Sequence, residues 1–483
     1  MIQNQPLRVK SGLPWWLWAM LILATIVIGA GVIFSSVPDD PKQLYEQSLT
    51  EFSESDKEKF ATSVARLAKF PEYASHVKLL EGMHASVQNR DPRALELFDE
   101  AIENPEIKPL VLQKIGSVKT RLGDYKGAIT AYEEAIQLAP ASANQSRVLL
   151  ARLYYAVGAL ALAENTLNDV TKTEPENKDA RAMLGRLKLD LNRHAEAVAD
   201  YSAILSTPGD FAAASPAVVD GYTRCLLETK DTEKLKEISQ NHMNLLEDMG
   251  LKAAVQLQLD DIDSIRTALA EAVQSDMAGP DVKIAASKIA LAAGDLRDAE
   301  NFLDDCLQMM PRDLGVLKTA VEVYEKTNQP EKQAIAQKNL DQIGDLESQF
   351  KKARLAITGN IDDANGRYEL GRLSIELGRY PDGQKWFSIA TAIDPEMAPK
   401  CIAAAEAAYT RFGLLVPFTI PDSTEASAIE KPAVETPENQ KTEANEESPK
   451  SADGGDAAVE KTEQSKVEET PSGSEPQKEE QRP

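Results

Sequence analysis

The feature that most restricts this 483-residue chain is a period. Between residues 109 and 208 one pattern of small, bulky and turn-forming residues occurs three times, 34 to 35 residues apart. The first copy carries Gly116, then Gly123-Asp124-Tyr125, Ala128, Tyr132, Ala135 and Pro140. The second places Ala151, Gly158, Ala163, Leu167, Val170 and Pro175 at the same offsets. In the third, Gly185, Asn192, Ala197, Tyr201 and Ile204 fall at those offsets, and Pro208 comes one place early. Units of this length cannot bury their apolar faces alone, so neighbours must stack. Counting outward predicts unit starts at 41, 75, 109, 144, 178, 212, 246, 280 and 314. The frame weakens at 41–74, 212–279 and 314–363, where about sixteen extra residues precede a restart. The restart at Ala364 shows Leu370-Gly371, Gly378-Arg379-Tyr380, Phe387, Ala390 and Pro395, and a last helix from Ala398 to Arg411 covers the final apolar face. Aromatics are only 6% of the chain, and no sustained alternating β-branched run occurs outside residues 15–34. The chain is therefore expected to be all-α.

These residues resemble the tetratricopeptide repeat, a helix–turn–helix with small residues at positions 8, 20 and 27, a bulky one at 24 and a terminal proline. The resemblance covers about residues 41–412. It implies a superhelical solenoid of about ten helix pairs whose concave groove, lined by the first helix of each unit, holds segments of other proteins. Position 9 of that first helix is occupied by Arg152, Arg186, Lys288 and Arg372, which become the candidate partner-binding residues. The other units place Leu49, Met83, Ser117, Asp220, Ala254 and Glu322 there, so the basic stripe is interrupted. Two readings stand: a basic groove for extended or acidic segments, or solvated helix faces kept through duplication. Position 4 is also often basic, as Lys78, Arg147, Arg181, Lys283 and Arg367. The carboxylate-clamp members of the family use a lysine and an asparagine on the first helix. Position 9 is never asparagine here, so their chaperone-tail activity is not carried over.

The net charge of −24 argues against nucleic acid as a partner, because phosphate contacts need a concentrated Lys and Arg footprint. No catalytic constellation is present. The four histidines, His76, His84, His194 and His242, are dispersed, and phosphate-binding, dinucleotide and nucleophile-elbow motifs are missing. Asp260-Asp261-Ile262-Asp263 lacks the glycine and terminal glutamate of a calcium loop and reads as a turn with a helix N-cap. Cys225, Cys306 and Cys401 are too few for a disulfide framework or a zinc site. No cofactor, metal, small-molecule substrate or enzymatic activity is expected. Tyr125, Tyr132, Tyr201, Tyr380 and Phe387 sit at helix-packing positions and read as core rather than as a ligand box.

The ends differ from the array. Residues 1–14 carry Arg8 and Lys10 without an acidic residue, and residues 15–34 are uncharged. Twenty such residues at about 1.5 Å each span the roughly 30 Å of a bilayer core. Trp15, Trp16 and Trp18 cluster at one end, as interfacial anchors do, and Asp39-Asp40 follow the other. A single-pass anchor is expected, with a cytoplasmic N-terminus and an extracytoplasmic array, as in bacterial inner-membrane proteins facing the periplasm. Gly29 and Gly31 leave a cleaved signal peptide as the competing reading, and the short basic flank leaves a cytoplasm-facing adaptor. Residues 421–483 hold 17 acidic and 7 basic residues and no aromatic, a composition expected to remain disordered. The implied function is a membrane-anchored, non-enzymatic scaffold for envelope assembly, secretion or quality control.

Overall fold

The computed structural model describes residues 40–53, 56–273 and 279–412. The expected membrane segment at 15–34 and the acidic tail at 421–483 lie outside them. No described helix is long and apolar enough to cross a membrane.

The described residues form 22 α-helices and no strand. Ten pairs account for most of them. The first three are α1 (Pro41–Ser53) with α2 (Lys57–Leu67), α3 (Ala74–Val87) with α4 (Asp91–Ala101), and α5 (Lys108–Arg121) with α6 (Tyr125–Leu138). Next come α7 (Asn144–Ala156) with α8 (Leu160–Thr173), and α9 (Lys178–Asp190) with α10 (His194–Ile204). A short helix, α11 (Pro208–Ala213), precedes α12 (Pro216–Thr229) and the truncated α13 (Thr232–Glu237). Then follow α14 (Met249–Gln258) with α15 (Asp263–Val273), α16 (Pro280–Ala293) with α17 (Leu296–Met309), and α18 (Leu314–Lys326) with the long α19 (Pro330–Ala356). The last pair is α20 (Ala364–Glu376) with α21 (Tyr380–Ile393), capped by α22 (Ala398–Phe412). The pairs expected at 212 and 246 thus begin at Pro216 and Met249, because α11 is interposed and the second helix of the sixth unit breaks into a π-turn and a 3-10 turn.

Local chemistry explains the pairing. From the second unit on, the turn between the paired helices carries one left-handed residue: Asn89, Gly123, Gly158, Asn192, Lys230, Asp260, Gly294, Asn328 or Gly378. That conformation ends the first helix and reverses the chain, and glycine and asparagine adopt it at least cost. Side chains then start many of the helices, as Asp124 accepts from the Gly127 amide, Asn177 from Ala180 and Asp363 from Gly366. In four of the pairs a glycine at position 8 lies under the bulky residue at position 24. A Cβ on Gly82, Gly116, Gly185 or Gly371 would come within 2.5–2.7 Å of the ring of Phe98, Tyr132, Tyr201 or Phe387. All four rings are buried, which places Tyr132, Tyr201 and Phe387 in the core; Tyr125 and Tyr380 are half-buried against it. Burial also pushes the Cys225 and Cys306 thiols up to about 11.

The extra residues before the last unit have a structural consequence. They lengthen α19 to 27 residues, and the segment after it turns back onto the third and fourth units. There Ile357 and Trp386 pack on Gly158, the Ala161 amide donates to the Thr358 carbonyl at 3.0 Å, and Lys126 pairs with Asp362 at 3.0 Å. One buried cluster runs from Ala128–Leu187 into Ala364–Ala408. Arg367 is fully buried at this junction and donates to the carbonyls of Val157 at 2.8 Å, Asp363 at 2.9 Å and Asn360 at 3.1 Å. With no carboxylate among the described residues in direct contact, burial lowers its pKa to about 10. The array therefore closes on itself: the tenth unit touches the ninth along the chain and the third and fourth across it.

Candidate functional site

First helices of consecutive units lie side by side, so residues at the same repeat position are presented on one face. On α7 and α9 this brings Arg152 and Arg186 to the wall of one cavity of about 630 Å³. Its floor is apolar, made by Ala182, Met183, Ile204, Ala214 and Val218, with the Tyr201 ring between α9 and α10. Lys178, at the first turn of α9, adds a third cation to the rim. The volume lies in the range of specific ligand pockets, and the combination of apolar floor and cationic rim suits a short segment with an apolar side chain and a nearby carboxylate.

The three cations are not equivalent. Arg152 faces Asp179 at 3.6 Å with both side chains at least half exposed, a pairing that water weakens to a small contribution. Lys178 donates to Asp210 at 2.8 Å; with the Thr207 hydroxyl this contact holds the Asp210 carboxyl down at about 2. Arg186 has no carboxylate within salt-bridge distance among the described residues. Its Nε donates instead to the Tyr155 hydroxyl at 3.2 Å, and that hydroxyl donates to Asp190. The Tyr155 phenol, and more distantly Asp190, keep the Arg186 pKa above its usual value. Tyr155 stays protonated, since burial and its bond to Asp190 raise its own pKa.

Lys288 and Arg372 do not join this cavity. Lys288 lines a separate depression of about 340 Å³ between α16 and α18, with Lys318, Lys326 and Glu322. Arg372 lines one of about 240 Å³ on the last unit and pairs with Glu369 at 2.9 Å. The position 4 cations mostly clamp each pair internally: Lys78 to Glu100 at 3.0 Å, Arg181 to the buried Asp200 at 2.8 Å, and Lys283 to Asp305 at 2.7 Å. The histidines stay apart; His76 is buried between Tyr45 and Tyr73, and His242 stacks on Phe211. Asp260 and Asp261 form the turn before α15. Sequence reasoning missed Lys178 and Tyr155, and the first-turn lysine of a groove helix was the available signal for one of them.

Three solved structures are similar. A tetratricopeptide repeat protein from Parabacteroides merdae is 14% identical, with 69% of this chain and 99% of that one covered and a TM-score of 0.26. The apo form of the quorum sensor NprR from B. thuringiensis is 13% identical, covers 63% and 97%, and has a TM-score of 0.43. The APC/C hetero-tetramer Cut9–Hcn1 is 13% identical, covers 82% and 89%, and has a TM-score of 0.30. No curated protein matches the chain. Residues 120–187 match the family model described as tetratricopeptide repeat, and the fold around them is an all-helical, tetratricopeptide-like solenoid, an architecture that serves as a protein–protein interaction scaffold.

Proposed function

We propose that the protein is a non-enzymatic, membrane-anchored scaffold that holds an extended, acidic or carboxylate-ended segment of another protein across Arg152 and Arg186. The observation that carries this reading is the shared cavity: two guanidinium groups from adjacent first helices above an apolar floor. A guanidinium offers a planar fork matched to a carboxylate, and a partly enclosed wall strengthens the pair relative to open water. Lys288 and Arg372, in their own depressions, give an elongated partner further contacts. Residues 15–34 anchor the chain with its N-terminus in the cytoplasm. The array then works on the extracytoplasmic side, in envelope assembly, secretion or quality control; the uncharged run, its tryptophans and the basic flank support this placement.

The groove is tested with a fluorescent hexapeptide carrying two apolar side chains, two glutamates and a free terminal carboxylate, against its glutamine, amide-ended counterpart. Arg152→Glu with Arg186→Glu should weaken the acidic peptide by at least tenfold, about 1.4 kcal/mol. Equal binding by the folded double variant overturns the groove reading. Reporter fusions at Pro483 and alkaline extraction of membranes test the anchor. Activity only of a cytoplasmic reporter reverses the topology, and release into the soluble fraction removes the anchor.

A further inference from the structure

The groove arginine is tied to a residue from the far end of the array. Asp190, one turn after Arg186 on α9, is the obvious partner to neutralise it, since residues four apart face each other on a helix. It does not pair with Arg186. Its Oδ2 instead accepts from the Tyr155 hydroxyl and from Arg354 Nη2 at 3.0 Å, across 164 residues of sequence. Both partners of this pair are about a quarter exposed, so water screens them less than the rim pairs. Arg354 lies near the end of α19 and reaches Asp190 because the segment behind it is docked on the α7–α8 turn.

We infer that Arg354 is a positioning residue for the groove: by occupying Asp190 it leaves the Arg186 charge available to an acidic ligand. This rests on the reading of Arg152 and Arg186 as the binding pair. Were the C-terminal unit to undock, Arg354 would leave, Asp190 would turn to Arg186, and the cavity would lose the one of its three cations that has no direct carboxylate partner among the described residues. Docking of the last unit and ligand binding are then linked, and each must strengthen the other by the same factor.

The docked state has its own reporter. Ala161 lies in the first turn of α8, whose amides have no partner within the helix, and its amide bonds to Thr358 only while the unit is docked. Hydrogen exchange at Ala161 therefore reads closure without any ligand. With the full chain and the acidic hexapeptide, saturating peptide should slow Ala161 exchange about fivefold or more in the unmodified protein. Arg354→Met should weaken the peptide by a similar factor, and Arg354→Lys should restore most of the affinity. Exchange at Ala161 that ignores saturating peptide overturns the inference without needing any variant to fold. Peptide affinity unchanged by Arg354→Met, while Arg186→Met still weakens it, overturns the inference alone. Affinity unchanged by Arg186→Met overturns the groove reading together with it.

Discussion

Gly158 and Gly294 provide a matched pair for measuring the self-closure of the array. Both end the first helix of a unit with φ of +83°, so alanine at either meets the same left-handed penalty of about 1–2 kcal/mol. Their surroundings differ. A Cβ on Gly294 would meet nothing within 4 Å, whereas one on Gly158 would lie 2.9 Å from Ile357 Cδ1 and 2.9 Å from Trp386 Cη2. Ile357 is fully buried and belongs to the docked segment, so the cheapest relief is to lift that segment away. Overpacking of this kind costs about 1–3 kcal/mol, roughly five- to 150-fold in the opening equilibrium. Native-state hydrogen exchange is the suitable assay, because repeat arrays open locally and a single denaturation midpoint blends the units. Gly158→Ala should speed exchange at Ala161 by that factor. Gly294→Ala should weaken only its own pair. Adding Ile357→Val to Gly158→Ala removes the Cδ1 atom in the way and should recover part of the loss. If Gly158→Ala costs no more than Gly294→Ala and leaves Ala161 exchange unchanged, the last unit does not pack on the α7–α8 turn.

Three further outcomes follow from the same geometry. Gly116→Ala pushes a methyl to within 2.7 Å of the Tyr132 ring and should destabilise the α5–α6 pair by about 1–3 kcal/mol, read as a lower urea midpoint for that pair's amides. Lys230, a long side chain held at φ of 55°, should gain about 1 kcal/mol when replaced by glycine, read from exchange of the α12 amides. The Asp210 carboxyl is held below its usual 3.8, at about 2, by Lys178 and Thr207. A lowered folded pKa adds stability above the unfolded value and loses it as pH falls through the folded one. The melting temperature should thus fall between about pH 4 and pH 2, and Lys178→Met should flatten that part of the profile.

Much of the fold was written in residues that obey one steric rule each. A left-handed turn residue every 34 or so positions, and a glycine facing a ring sixteen residues later, specify a helix pair whatever the rest of the unit contains. Where those residues drift, the lattice still finds the pair but not its edges. Lys230 and Asp260 keep the left-handed turn without glycine or asparagine, and the interposed α11 moves the next start by four residues. The juxtaposition of Arg152 with Arg186 was legible for the same reason, since equal positions in adjacent units fall side by side. What a period cannot report is how far along the superhelix two equal positions lie from a common cavity, and Lys288 and Arg372 accordingly line depressions of their own.

The self-contact is a different kind of information. In the sequence it appears only as an interruption, sixteen or so residues that fit no unit. As helix those residues extend reach: α19 spans about 40 Å, against roughly 21 Å for a fourteen-residue second helix. Few of its side chains are buried, so its length is not explained by its own packing. It is explained by what its end delivers: Glu347 to Arg379 of the last unit, Arg354 to Asp190 of the fifth, and Ile357 to Gly158 of the fourth. Neither charged partner is a special residue type at its own position, and Gly158 is special only for its turn. Asp190 reads as an ordinary helix carboxylate, and Arg367 as one more cation at position 4 until the back-docked chain buries it against three carbonyls. An insertion that keeps helical phase and ends in buried, non-repeating contacts therefore acts as a tie between distant units, and the groove it reaches is the one that carries the arginine pair.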